Sequence, residues 1–320
     1  MGRYIAKRGL SSLVTFFATV VLTFVLFRLL PGNPITLLFR NPLLTKSEID
    51  TLSAQFGLNQ PLYVQFFDYL RNVFLGNWGI SFYYRAPVTQ VLFPAMINSV
   101  VLLLPSTVLA ILLGVSLGII SGWKRGSASD VSILSASLIL YALPTFWLGI
   151  LLIMLTIKTG IPVSGMMSVG VTFPNAFSYV ANVLEHMILP MTTLTLVILG
   201  QFAIIMRSSI LGELTQDYVV AAYSKGMGTR RLLLKHIVPN AMLPTVTIIA
   251  ISIGTVVAGA VLTETVFSWP GVGTLIYDSI SRRDYPVLQG AFLVVALIVI
   301  LSNFVADVVY SYLDPRVKYS

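Results

Sequence analysis

Six stretches of this chain run for 19 to 27 residues without a charged side chain: 9–27, 98–122, 131–157, 187–206, 237–263 and 285–306. A helix rises about 1.5 Å per residue, so about 20 residues cross a hydrocarbon layer of roughly 30 Å. In that layer each backbone amide must be satisfied within its own helix. With 56% apolar residues, 10% charged residues and a mean hydropathy of +0.88, a soluble two-layer domain and a disordered polymer are both excluded. The expected fold is an all-α membrane protein with six transmembrane helices. Cysteine is absent, which removes disulfides, thiolate metal sites and a cysteine nucleophile.

Orientation follows from where the cations fall, because positively charged loops are retained in the cytoplasm. With the N-terminus inside, the segments 1–8, 123–130, 207–236 and 307–320 hold twelve of the twenty lysines and arginines, although the outside segments are longer in total. Both termini are therefore expected to be cytoplasmic. The basic start Met1–Arg8 leads into 19 uncharged residues, longer than the roughly 7–15 of a signal-peptide core, and Leu30-Pro31-Gly32-Asn33-Pro34 is no small-residue cleavage site. It reads as an uncleaved first span.

Three regions result: a tail and first helix at 1–30, a large external segment at 31–97, and a five-helix core at 98–320 with a cytoplasmic loop at 207–244. Within the external segment, Thr45 and Glu48 make a capping box. Pro61 opens a run with Tyr63, Phe66, Phe67, Leu70, Val73 and Phe74 on helical spacing. Two short amphipathic helices are expected, either packed on span ends and headgroups or forming a platform for an external partner. Gly114, Gly118 and Gly122 recur every fourth residue in the second span, as do Gly254 and Ala258 in the fifth. Small residues on one face admit a second helix at close range, from this chain or from another membrane subunit.

Catalytic and metal-binding patterns are missing. His186 and His236 fall on opposite sides of the membrane in this topology and cannot share a metal; His186 is expected at the interface. No H-E-x-x-H occurs, and no glycine precedes a lysine, so the chain holds no Walker phosphate cradle. Arg28, Glu264 and Asp307 border the spans, where snorkelling or local pairing would keep them hydrated. No catalytic residue, metal site or cofactor is assigned to the chain. Its basic loops need no nucleic acid, since membrane orientation accounts for them.

The inside loop Asp217–Pro244 carries the most information. Asp217 can cap a first short helix, Gly226 and Gly228 break it, and Thr229 can cap a second. Ala221 and Ala222 would present a flat surface suited to a groove in another protein, ringed by Lys225, Arg230, Arg231 and Lys235. This spacing resembles the coupling-loop signature of ABC importer permeases, E-A-A-x3-G-x9-I-x-L-P, with Ala221, Ala222, Gly226 and Pro239 in register. Val220, His236 and Val238 depart from it in the manner of the peptide-transporter branch. That branch reads A-x-A-K-G with a basic pair and a later N-A-x-x-P, here Ala222–Gly226, Arg230-Arg231 and Asn240–Pro244.

The likeness extends through Leu30–Pro34, Gly57–Leu62, Gly76–Ser81, Glu264–Gly273, Arg283–Gly290 and Leu313–Arg316, which together resemble the first permease subunit of dipeptide, oligopeptide and nickel ABC importers. The resemblance implies an integral multi-pass protein of the cytoplasmic (inner) membrane, working with a second homologous permease, two ABC ATPase subunits that bind ATP and Mg, and an external substrate-binding protein. On this reading the chain is no enzyme, and Tyr218, Ala221, Ala222, Lys225, Gly226, Arg230 and Arg231 form the ATPase-coupling surface. Glu264, Trp269, Pro270 and Gly271 either shape the external mouth or merely end a helix. Peptides are the default cargo, with nickel chelates or oligosaccharides as alternatives. A self-contained channel or ion-coupled carrier is the competing class.

Overall fold

The computed structural model describes residues 2–29, 46–55, 59–256 and 260–313. The motifs at Leu30–Pro34 and Leu313–Arg316 lie wholly or mostly outside them, as do Thr45 of the capping box, Gly57 and Ala258. Among the described residues the chain is helical, with a single isolated bridge between Ile80 and Pro87. In order the helices are α1 (Gly2–Leu29), α2 (Lys46–Gln55), α3 (Leu62–Phe74), α4 (Val88–Trp123), α5 (Ala128–Ala142), α6 (Thr145–Thr156) and α7 (Ala176–Leu214). After these come α8 (Asp217–Ser224), α9 (Thr229–Leu232), a π turn (Leu233–Ile237), α10 (Val238–Val256), α11 (Val261–Val266), α12 (Val272–Arg282) and α13 (Tyr285–Leu313).

Four of these, within α1, α4, α7 and α13, are long and apolar enough to cross a bilayer, and α5 with α6 makes a fifth if the bent pair is one span. The expected span 131–157 is not one continuous helix: α5 and α6 meet at 104°. Leu143 before Pro144 takes an extended conformation (φ −73°, ψ 131°), the one a following proline favours, and the helical ladder stops. The expected fifth span, 237–263, is represented by α10, which ends at Val256.

Helix α4 starts at Val88, so the expected boundary at residue 98 falls inside a continuous helix that carries Pro94 and Pro105. Helix α7 is 39 residues long and overshoots the uncharged core 187–206 at both ends. It begins at a capping box in which Asn175 accepts from Ser178 N–H. Helix α7 continues past Glu185, Arg207 and Glu213 because a backbone that satisfies itself in lipid also does so in water.

The seam between α4 and α7 organises the bundle, and the glycine ladder makes it. A Cβ on Gly118 would lie 2.6 Å from the Met206 Cβ and 2.7 Å from the Ala203 carbonyl oxygen. Gly114 faces Leu199 and Phe202 in the same way, and Gly122 faces Ile210. Gly200 repeats the device against Ser137 and Tyr141 of α5. All three ladder glycines thus meet a helix of their own chain. Helix α1 lies antiparallel to α13: Arg8 pairs with Asp307 at 3.1 Å, and Phe27 meets Tyr285 and Phe292 at the opposite end.

Candidate functional site

At one end of the bundle the chain leaves α7, forms α8, turns, and returns through α9 and the π turn into α10. Gln216, rather than Asp217, is the N-cap of α8, and Gly228, rather than Thr229, that of α9. Neither helix has a side-chain cap hydrogen bond. Lys225 closes α8, and Gly226 reverses the chain at φ +72°, a left-handed conformation that glycine adopts without Cβ strain. Val219, Leu232 and Ile237 are buried with Met206 and Ile210 of α7 and Ala241 of α10, forming an apolar keel beneath the loop.

Of the expected coupling residues, Ala221, Lys225, Gly226, Arg230 and Arg231 are exposed, whereas Tyr218 and Ala222 are half-buried against the keel. The flat surface expected from both alanines is corrected accordingly: Ala222 is three residues from Val219 and shares its inward face. The exposed surface instead includes Val220, Tyr223 and Leu234. Val220 stands where the family signature has a charge, so the signature itself gives no sign of an apolar contact residue there. The Tyr218 hydroxyl donates to Glu213 Oε2 at 2.6 Å, and burial, followed by that hydrogen bond, raises the phenol above its ordinary pKa.

One feature of this end was not anticipated. Asp130, at the start of α5, is buried; its carboxylate accepts from Arg207 Nε at 2.7 Å and Nη2 at 2.9 Å, from Ser121 Oγ at 2.6 Å and from Gly126 N–H at 2.9 Å. This bidentate pair joins the α4–α5 turn to α7 one residue after Met206, a member of the keel.

At the other end Glu264 is fully buried, not hydrated as expected. It accepts from Ser99 Oγ (2.7 Å), Gly273 N–H (2.7 Å), Thr274 N–H (3.3 Å) and Ala260 N–H (3.3 Å). Two of these donors belong to the first turn of α12, where orphan N–H groups and the helix dipole favour a carboxylate. Trp269 is buried too and donates from Nε1 to Asn98 O at 2.8 Å, while Asn98 Nδ2 donates to Pro270 O at 2.9 Å. A Cβ on Gly271 would press on the Glu264 carboxylate. The four residues expected at an external mouth therefore form a knot that fastens the α11–α12 turn to α4, with only Pro270 exposed. Asp284 makes a second knot, accepting from Ser81 Oγ, Phe82 N–H and Tyr83 N–H. His186, expected at the interface, is buried within α7, its Nδ1 2.8 Å from Asn182 O.

The family model for the binding-protein-dependent transport system inner membrane component matches residues 114–319, and the model for the N-terminal part of such membrane components matches residues 1–106. The di/tripeptide transport system permease protein DppB of Pseudomonas aeruginosa is 37% identical over 99% of this chain and 98% of its own length. The oligopeptide transport system permease protein AppB of Bacillus subtilis is 34% identical over the full length of both. Among solved structures, the inward-facing MetNI methionine ABC transporter has a chain with the same fold, at a TM-score of 0.55 and 15% identity, covering 71% of this chain and 97% of that one. The chain belongs to the family of binding-protein-dependent transport system inner membrane components. It is an integral, multi-pass permease subunit.

Proposed function

We propose that this subunit forms half of a translocation pathway for dipeptides and oligopeptides in the bacterial inner membrane, alongside a second homologous permease. An external binding protein delivers cargo, and two ATPase subunits on the cytoplasmic side supply the work. Six spans with both termini inside complete the reading, with the bent α5–α6 pair as the third and α10 as the fifth. Peptide cargo is favoured by the names of the relatives matched along the entire chain.

The observation that carries the coupling role is the construction of α8 and α9. Their outer side presents Ala221, Val220 and Tyr223 within a rim of Lys225, Arg230 and Arg231. Their inner side is seated on side chains of α7 and α10. A displacement of α8 by closing ATPases is passed through Val219 and Leu232 to Met206, Ile210 and Ala241, and through Arg207 to α5. The nucleotide then biases the permease pair between outward-open and inward-open arrangements.

The chain has no cysteine, so Ala221→Cys is a unique thiol. In the assembled complex it is expected to form a disulfide with a cysteine placed on the ATPase surface, and crosslinking is expected to stop peptide uptake. Labelling of that thiol from outside intact cells, or ATP-independent uptake by the purified chain alone, would defeat the proposal.

A further inference from the structure

A cavity of about 360 Å³ opens between α1, α3 and the start of α13, away from both the coupling loop and the Glu264 knot. Its volume lies within the roughly 300–1,000 Å³ of small-molecule sites. The walls are aromatic, with Phe24, Trp78 and Tyr285, and the polar groups include Arg28, Asp68 and Gln289. Among the described residues neither Arg28 nor Asp68 has an ion-pair partner. The site thus offers one cation and one carboxylate beside neutral amides.

Its surroundings are amphipathic in the matching sense. Arg28 sits in the last turn of α1, at the level where a span meets the headgroups. By helical spacing Phe17, Leu13 and Leu10 continue the face of α1 that carries Phe24 and Arg28, and all three are more than half exposed, at 55%, 66% and 63%. Tyr63 and Phe67 of α3 are exposed as well. A ligand with a zwitterionic head and hydrocarbon tails would satisfy both parts at once.

We propose that this cavity holds the headgroup of a phospholipid bearing a primary ammonium, with its phosphate against Arg28 and its ammonium against Asp68, and with its acyl chains along Phe17, Leu13 and Leu10. Arg28 supplies charge-assisted hydrogen bonds to phosphate oxygens. Asp68 distinguishes a primary ammonium, which donates N–H, from a quaternary one, which cannot. The proposal requires only that the chain sits in a bilayer and is independent of cargo and coupling.

The test is made on the permease extracted in mild detergent with its partner subunits, stripped of lipid and titrated with dioleoyl phosphatidylethanolamine, phosphatidylcholine or phosphatidylglycerol while thermal unfolding is followed. Phosphatidylethanolamine is expected to raise the unfolding midpoint at roughly tenfold lower concentration than the other two, and soluble phosphoethanolamine is expected to have no effect. Arg28→Ala should weaken the response to every phospholipid, whereas Asp68→Leu, close in size but unable to accept a hydrogen bond, should erase only the preference for ethanolamine over choline. Equal responses to the three lipids, an unchanged preference in Asp68→Leu, or protection by soluble phosphoethanolamine would each overturn the assignment. So would a photocrosslinker at Tyr69 that captured a neighbouring polypeptide instead of lipid.

Discussion

Arg207 grips both carboxylate oxygens of Asp130, 77 positions earlier in the chain, at 2.7 and 2.9 Å. The pair lies beside the keel on which the α8–α9 loop rests, so it ties the short α4–α5 turn to the helix that receives motion from that loop. Asp130→Asn keeps the shape and loses the charge-assisted fork. Uptake per ATP hydrolysed is expected to fall on the order of fivefold, with basal hydrolysis retained. Measuring peptide uptake and phosphate release in the same proteoliposomes decides this, and unaltered coupling in Asp130→Asn would dismiss the link.

Glu264 is the acceptor for four donors in a site closed to water. Truncation to alanine leaves buried N–H groups of α12 unpaired, at about 1–3 kcal/mol for each group stranded. Glu264→Ala is expected to lower the unfolding midpoint of the detergent-solubilised subunit far more than Glu264→Gln, whose carbonyl oxygen still accepts. Equal midpoints for the two variants would mean that the knot contributes nothing to stability.

The glycine ladder predicts a graded penalty. A methyl on Gly118 meets the Met206 Cβ, the Ala203 carbonyl oxygen and the Arg207 backbone nitrogen, none of them the free end of a side chain, so the two helices must part slightly: Gly118→Ala should cost about 1–3 kcal/mol and Gly118→Leu should abolish assembly. Gly212 lies on the same partner helix with nothing within 4 Å of its Cβ position, and Gly212→Ala should be tolerated. Expression level and size-exclusion profile of the three variants provide the comparison.

Gly226 presents a different requirement. Nothing lies within 4 Å of its Cβ position, yet φ is +72°. Gly226→Val therefore strains the backbone without a clash, by about 1–3 kcal/mol, whereas Gly226→Asn is better accommodated in the left-handed region. Valine is expected to uncouple hydrolysis from uptake with membrane insertion intact, and asparagine to retain most coupling. If valine transports normally, the turn is not what fixes the loop.

The membrane class was legible because uncharged runs of span length have few other uses. The bend at Leu143-Pro144 was harder to foresee, since Pro94, Pro105, Pro190 and Pro244 all sit inside continuous helices, and only packing separates a tolerated proline from one that ends the ladder. In the sequence Asp130 and Arg207 simply border the uncharged stretches 131–157 and 187–206. Their pairing needs α5 and α7 side by side, which no local pattern encodes. Glu264 is hidden for a related reason: three of its four donors are two backbone amides of another helix and a serine 165 positions away. In the coupling loop residue type alone marks the turn at Gly226, whereas the inward tilt of Ala222 depends on Val219 setting the buried face.

The pairing of α1 with α13 has a consequence for synthesis. Arg8 and Asp307 are far apart along the chain, so α1 must wait in lipid until α13 has been made. Nascent chains halted before α13 carry an α1 that lacks the helix along which it finally packs, and quality-control proteases that read unpaired membrane segments would find it there.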